Sequence, residues 1–215
     1  MLSAIFGVSN LDSLPRRFNI APTQQVLVIR GTDAGNQADF LRWGLIPSWA
    51  KDPSIGSRMI NARSESVHEK PAFRHAIRYR RCIIPAGGFY EWMEEGGKKL
   101  PRYVRMKDAA PMGFAGIWDH WKNPEGETME TCSILTTASN RLIRPLHDRM
   151  PVILPPQEYH LWLDRNIIDP ETLQPLYQPY PEDLMEMYPV SPLVNSPRND
   201  SPACIERLRD DATPP

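Results

Sequence analysis

The sequence predicts an α+β fold built around antiparallel β-sheet, and three observations indicate it. The 215 residues include 23 prolines, well above the usual ~5%, which excludes a helical bundle because proline breaks helix interiors. The apolar residues lie in short runs separated by turn residues, as in successive hairpins. Only two segments have helical spacing. With 41% apolar and 24% charged residues, the chain is expected to form a single domain over residues 1–215.

The short apolar runs are typical of strands, and they fall at residues 26–30, 40–45, 82–84, 89–93, 103–106, 112–118, 132–137 and 152–154. A charged, glycine-rich stretch at 94–99 predicts a hairpin loop. Phe73, Ala76 and Ile77 predict an amphipathic helix over 68–80, and a second helix is expected at 159–163. The proline-rich tail at 170–215 is expected to pack on the body in extended form.

Charge is balanced overall but not locally. The formal net charge is −1, yet residues 58–81 carry seven basic and two acidic side chains. Such a stretch can hold a polyanion, although a solvated helix face explains Arg74, Arg78 and Arg81 equally well. From Glu158 onward the sequence has eleven acidic and four basic residues. This negative charge is expected to keep general nucleic-acid affinity low.

Several classes of protein are excluded by what the sequence lacks. No run approaches the ~18 apolar residues of a membrane span, and no basic region precedes the apolar start, so a secretory signal is not expected. The three cysteines are an odd number without zinc-ligand spacing, and the five histidines form no metal motif. We therefore expect a cytoplasmic monomer without metal or cofactor.

Two polar segments could carry chemistry on extended backbone. Asn61 and Arg63 are two residues apart and would share a face, where arginine offers a fork for phosphate; a loop that bonds its own backbone is the alternative. Glu91 alternates with Tyr90 and Trp92, so a carboxylate lies among aromatic residues. Burial there would raise its pKa and suit it to proton transfer, unless it is an edge-strand glutamate that faces water.

A third segment contains a histidine in a stiff turn. Pro145 and Pro151 bracket His147 and Arg149. The histidine could shuttle a proton near neutral pH, and the arginine could bind phosphate; the alternative is a capping or core histidine.

Taken together and in order, these segments resemble the SRAP family of SOS-response-associated peptidases, or abasic-site-processing proteins. The similarity covers about 16–205 and rests on the segments RFNIAPT (17–23), RWGLIPSW (42–49), INARSE (60–65), GFYEW (88–92), HDRMP (147–151) and VN (194–195). It implies an SRAP-like fold, in which antiparallel sheets form a barrel-like core with a few flanking helices.

The resemblance also implies a function. Family members recognise an abasic site in single-stranded DNA, often at a junction with duplex, and trap its aldehyde as a thiazolidine crosslink to an N-terminal cysteine that autoproteolysis exposes. Asn61 would orient that cysteine, Glu91 would act as acid and base, and His147 would assist opening of the sugar ring. The DNA-binding residues that it implies are the phosphate clamps Arg63 and Arg149 and the groove-lining residues Asn19, Pro22 and Trp49.

The start of the chain departs from the family pattern. The family opens Met-Cys-Gly-Arg, whereas this sequence opens Met1-Leu2-Ser3-Ala4 and its first cysteine is Cys82. We expect Met1 to be an internal methionine with a cysteine-containing segment upstream. A thiazolidine needs an amine and a thiol on one residue, so the chain as written is expected to bind noncovalently, with at most low lyase activity through a reversible imine. A peptidase and an inert single-strand-binding module are the alternatives.

Overall fold

The computed structural model describes residues 2–9, 11 and 14–208. Within them the helices are α1 (Leu2–Phe6), α2 (Ala76–Tyr79) and α3 (Tyr159–Leu163). The strands are β1 (Gln25–Thr32), β2 (Gly35–Trp43), β3 (Asn61–Arg63), β4 (Arg81–Ala86), β5 (Phe89–Glu95), β6 (Lys98–Met106), β7 (Met112–Lys122), β8 (Thr128–Ala138), β9 (Arg149–Pro151), β10 (Ile153–Leu154) and β11 (Met185–Pro189). The remaining regular segments are short 3₁₀ turns.

A closed barrel of five strands forms the centre of the molecule. The strands follow the order β7-β4-β1-β2-β8, and β8 pairs again with β7 to close the ring. The pairs are antiparallel except β2 with β8, which run parallel, so the barrel is mixed rather than purely antiparallel. Strands β3 and β9 pair with the two edges of β8. A second sheet consists of β11, β6 and β5.

Alternation along the strands builds two apolar clusters on opposite faces. Ile29, Ile83 and Leu135 belong to the cluster that also contains Phe6 and Trp162 of the helices. The residues next to them along the strands, Val28, Cys82, Ile84 and Ile134, belong to a second cluster. This cluster also contains Val104 of the second sheet. The period of two along each strand therefore lets both faces of the sheet be buried.

Gly88 lets the chain cross from the barrel into the second sheet. A Cβ at this position would lie 2.3 Å from the Val104 carbonyl oxygen and 2.6 Å from Cζ of Tyr103, closer than carbon atoms are found. The absence of a side chain thus allows β5 to start against β6, which places Glu91 directly after the crossing.

Two expectations about secondary structure were wrong. Residues 64–75 form successive turns and only Ala76–Tyr79 is helical, because Pro71 cannot donate a backbone hydrogen bond and Arg81 already belongs to β4. The tail is not extended throughout: it makes 3₁₀ turns that begin at prolines, and β11 pairs with β6. No helix in the described ranges is long and apolar enough to cross a membrane.

Candidate functional site

The two faces of β5 separate Glu91 from its aromatic neighbours, as its sequence pattern predicted. The Tyr90 hydroxyl donates to the Phe18 carbonyl at 2.6 Å, and Nε1 of Trp92 donates to Oδ1 of Asn195 at 2.8 Å. Tyr90 therefore holds β5 to the segment that contains Phe18, and Trp92 holds it to the tail. Glu91 lies on the other face.

Glu91 is partly buried, and its carboxyl interacts electrostatically with His147. Burial raises the pKa of the Glu91 carboxyl above its usual value, while the charge of the His147 imidazole acts in the opposite direction. The two side chains therefore lie within electrostatic range, although they are 56 positions apart in the sequence. A carboxyl group held partly away from water, within electrostatic range of an imidazole, is suited to accept and return a proton.

The ring of His147 is held by the backbone. The amide nitrogen of Arg149 donates to Nδ1 of the imidazole at 2.9 Å, and Oδ1 of Asp148 lies 3.3 Å from the same nitrogen. The Arg149 carbonyl oxygen lies 3.2 Å from Nδ1 as well, so the backbone of Arg149 holds this side of the ring. His147 is exposed, so Nε2 is open to a bound molecule.

Asn61 and Arg63 lie at the two ends of β3 and share its exposed face. Ala62 between them is fully buried, which confirms the face predicted from their spacing. β3 pairs with β8, where Arg63 is opposite Thr136. Within the described part of the chain, neither side chain has a hydrogen-bond partner, so both are available to a ligand.

Arg149 lies on β9, which pairs with the opposite edge of β8 from β3, and its guanidinium is bonded within the protein. Its Nη1 and Nη2 atoms donate to Oε1 and Oε2 of Glu65 at 2.6 and 2.8 Å, and Nη2 also donates to the carbonyl of Thr136 at 2.5 Å. The hydrogen bond from Arg149 lowers the pKa of the Glu65 carboxyl, and the charges of Arg149 and Arg63 lower it further, whereas burial opposes them. Glu65 therefore lies between the two arginines that the sequence predicts as phosphate clamps.

Of the three predicted groove residues, Asn19 is buried against the tail. It is 6% exposed, and its Nδ2 donates to the carbonyls of Val194, Ser196 and Asn199 at 3.0–3.1 Å. The side chain fastens the tail to the body, because the unsatisfied carbonyls of the tail need a donor there. This placement argues against the predicted DNA contact.

Pro22 and Trp49 are exposed, the latter by 59%. Next to Pro22, the amide of Thr23 donates to the Trp43 carbonyl, and the Trp43 indole donates to the Ile60 carbonyl beside Asn61. The Pro22 loop is thus connected to β3, where it can flank the Asn61 face. The Trp49 loop is fixed by the indole of Trp121, which donates to the Ala50 carbonyl.

The three cysteines do not contribute to the site. Cys82, Cys132 and Cys204 are buried; burial raises the pKa of the Cys82 thiol well above its usual value and that of Cys132 to about 12. Among the residues that the structure describes, no group of three or more histidine, cysteine or acidic side chains is arranged to hold a metal ion. Met1, whose amine entered the sequence argument, lies outside the described residues.

Sequence reasoning missed Glu65. It lies in the INARSE segment, but nothing in that segment indicates a partner 84 positions away. Part of the predicted basic stretch is also neutralised internally: Arg80 pairs with Asp119, and Arg81 is buried and donates to backbone carbonyls. Arg81 is therefore neither part of a phosphate-binding surface nor part of a solvated helix face.

The family described as "SOS response associated peptidase (SRAP)" matches residues 2–197. The chain belongs to the SRAP family. It is similar to the "Abasic site processing protein YoqW" of Bacillus subtilis, with 49% identity over 190 residues that cover 88% of this chain and 85% of that protein. It is also 34% identical to the mouse "Abasic site processing protein HMCES" over 196 residues, 77% of this chain and 55% of that protein.

Solved SRAP-like structures have the same fold. A protein from Bacteroides thetaiotaomicron superimposes with a TM-score of 0.79 at 32% identity, covering 87% of this chain and 82% of that one. A Bordetella bronchiseptica protein gives 0.78 at 30%, covering 88% and 94%. The predicted α+β fold with a barrel core and few helices is thereby confirmed.

Proposed function

We propose that this SRAP chain recognises abasic sites in single-stranded DNA and binds the base-less sugar between Glu91, His147 and the exposed face of β3. The proposal is supported by the partly buried Glu91 carboxyl, which lies within electrostatic range of the His147 imidazole, and by the backbone contact that holds that imidazole. The names of the relatives, which are abasic site processing proteins, support the same substrate. Single-stranded DNA, alone or at a junction with duplex, is the proposed partner, because a lesion in a single strand leaves its sugar accessible.

The two side chains can open the closed sugar. The C1′ hydroxyl gives its proton to the Glu91 carboxylate, the C1′–O4′ bond breaks, and a doubly protonated His147 ring donates its Nε2 proton to O4′ and becomes the neutral imidazole; an aldehyde and an open 4′-hydroxyl result. Asn61 can orient the amine that attacks the aldehyde. Arg63 can bind a flanking phosphate, since its guanidinium is exposed.

The proposal for the polypeptide from Met1 to Pro215 is noncovalent binding, with at most a reversible imine through its terminal amine. Its cysteines are internal and buried, and an internal cysteine has no free amine to close a thiazolidine. We further propose that a Cys-Gly-Arg segment before Leu2 would give a stable crosslink. The reading frame upstream of Met1 tests whether the natural protein has such a segment: an in-frame stop immediately before Met1 would contradict it.

Binding to paired oligonucleotides tests the function. One strand carries a single abasic site, its control carries thymine there, and a third arm places the site at a junction with duplex; fluorescence anisotropy gives each affinity. We expect preference for the abasic strand, reduced by Glu91→Gln and His147→Gln but retained by Glu94→Gln, an exposed control on β5. Equal affinity for both strands would refute lesion recognition.

The same variants distinguish the alternatives. An inert binding module would keep its preference for the abasic strand in the Glu91 and His147 variants, and would give no imine that borohydride can trap. A general peptidase would hydrolyse an unstructured peptide, with loss of activity in the same variants. An adduct that survives denaturing electrophoresis without borohydride would contradict the noncovalent proposal for this polypeptide.

A further inference from the structure

The turn before β1 contains a residue in the left-handed region of backbone conformation. Thr23 has a φ of 74°, which side chains branched at Cβ seldom adopt because the Cβ then crowds the following carbonyl oxygen. Pro22 precedes it, with φ held at about −65° by its ring, and the Gln24 amide donates to the Ala21 carbonyl at 3.2 Å. These are the features of a type II turn, whose third position normally takes glycine.

The turn continues into a β-bulge that joins it to β2. The Thr23 amide donates to the Trp43 carbonyl at 2.7 Å, and the Trp43 amide donates to the Gln24 carbonyl at 2.9 Å. Two residues opposite one, with the first in the left-handed region, make a G1 bulge, and here threonine stands where glycine is usual. The Trp43 indole donates to the Ile60 carbonyl at 2.9 Å, so Trp43 connects the bulge to the residue before Asn61.

Further hydrogen bonds hold Thr23 in this conformation. Oε1 of Gln24 accepts from the Ala21 amide at 3.2 Å and from Nη2 of Arg17 at 2.9 Å, and Nε of Arg17 donates to the Asp200 carboxylate. The Thr23 side chain takes no part in these bonds: it is exposed, and within the described residues its hydroxyl has no hydrogen-bond partner. Backbone strain of this kind persists only where the surroundings over-determine it, and it is concentrated at functional sites.

We infer that Thr23 is a DNA-contact residue, whose hydroxyl donates a hydrogen bond to an oxygen of the sugar–phosphate backbone of a strand that lies along the exposed face of β3. The bulge fixes the position of Thr23 before DNA binds, so the backbone loses little freedom on binding. The inference rests on the proposed function for the presence of the strand but not for the lesion, because backbone contacts do not depend on the bases.

Three substitutions of Thr23 separate the effect of its hydroxyl from that of the strain. Thr23→Val keeps the branched shape without the hydroxyl, Thr23→Ser keeps the hydroxyl, and Thr23→Gly removes the side chain and the strain together. Fluorescence anisotropy at constant salt measures the affinity of each variant for intact single-stranded DNA. We expect Thr23→Val and Thr23→Gly to bind about three- to tenfold more weakly than the parent, as for one lost neutral hydrogen bond.

The serine variant decides whether the hydroxyl is the contact. We expect Thr23→Ser to bind within about twofold of the parent, because the donor is retained. Parent affinity in Thr23→Val would overturn the inference. A loss in Thr23→Ser as large as that in Thr23→Val would overturn it as well.

Thermal unfolding tests the strain, and Ala109→Gly is the matched control. Ala109 is the other residue besides glycine with a positive φ in the described part of the chain, 58°, and it lies in an exposed turn after β6. Because glycine adopts a positive φ without this cost, we expect Thr23→Gly to melt about 2–4 °C above the parent. Ala109→Gly should also gain stability but keep the parent affinity for DNA. A lower melting temperature in Thr23→Gly, or equal losses of affinity in the two glycine variants, would overturn the inference.

The two proposals fail separately. If the parent binds intact and abasic strands equally, lesion recognition is refuted, and the comparison of Thr23→Val with Thr23→Ser still decides the hydroxyl contact. If the parent prefers the abasic strand and Thr23→Val keeps the parent affinity for both strands, only the Thr23 contact is refuted. If the parent binds neither strand, both proposals are refuted.

Discussion

Replacing Asn19 by alanine tests whether this residue holds the tail or lines the DNA groove. The Asn19 amide donates to three tail carbonyls, those of Val194, Ser196 and Asn199. Its two hydrogens supply about two full hydrogen bonds, shared among the three acceptors. In the alanine variant these carbonyls lose their donor in a region where the Asn19 side chain is almost fully buried. The backbone amides of Phe18 and Asn19 remain bonded to Asp200, so one attachment of the tail persists.

The magnitude follows from the bonds lost. A net hydrogen bond contributes about 1 kcal/mol, and each buried acceptor left unpaired costs about 1–3 kcal/mol. For two bonds, partly compensated by relaxation, we expect the free energy of unfolding to fall by about 2–4 kcal/mol. In a domain of this size one kcal/mol shifts the melting temperature by about 2–4 °C, so the expected loss is about 4–16 °C.

Thermal and urea unfolding, followed by circular dichroism, measure this loss. Asn36→Ala is a matched control, because it removes a single amide bond, to the Phe6 carbonyl, and is expected to cost about 1 kcal/mol. DNA binding is measured well below both transitions, where Asn19→Ala is expected to keep the parent affinity and salt dependence. An unchanged melting temperature together with lost DNA affinity would show that Asn19 contacts DNA and that its tail contacts contribute little.

Three further outcomes are expected. Glu91→Gln should be more stable than the parent at pH 7–8, because a raised folded-state pKa means that ionisation of this carboxyl costs stability as pH rises; the difference in melting temperature should disappear below pH ~4, and a variant less stable at pH 8 would contradict it. The three cysteines, all buried, should react with a thiol reagent only in urea, and a fast native reaction would refute their burial. Gly88→Ala, whose Cβ would meet the Val104 carbonyl, should lose about 1–3 kcal/mol by urea unfolding, whereas Gly87→Ala should be nearly neutral.

Local patterns predicted the strands better than the pairings between them. The alternation at Glu91 is a property of one strand, so its face could be predicted from three neighbouring residues. The parallel pairing of β2 with β8 joins segments about 90 residues apart and leaves no local signal. For the same reason the barrel was predicted as antiparallel. The spacing of Phe73 and Ile77 predicted a helix over 68–80, of which only Ala76–Tyr79 is helical.

In the candidate site, too, the sequence identified single residues but not their distant partners. The motif residues Asn61, Glu91 and His147 could be picked out because their types and order resemble a family, and their exposure or partial burial agrees with chemistry. The tail contacts of Asn19 could not be predicted, because its partners are backbone carbonyls and carbonyls carry no sequence signal. The Glu65–Arg149 pair depends on the registers of β3 and β9 against β8, which only the folded structure fixes.

The basic stretch gives less positive surface than its count of residues suggests, and this bears on selectivity. Arg80 is paired with Asp119, Arg81 donates to carbonyls, and Glu65 neutralises Arg149 beside the exposed Arg63. The chain as a whole has a net charge of −1. Glu65 therefore reduces the phosphate attraction of the Arg63–Arg149 edge, and that attraction does not depend on sequence or damage. A preference for abasic DNA must consequently come from short-range contacts with the sugar near Glu91 and His147, so high salt should weaken binding to intact and abasic strands by the same factor and leave their ratio unchanged.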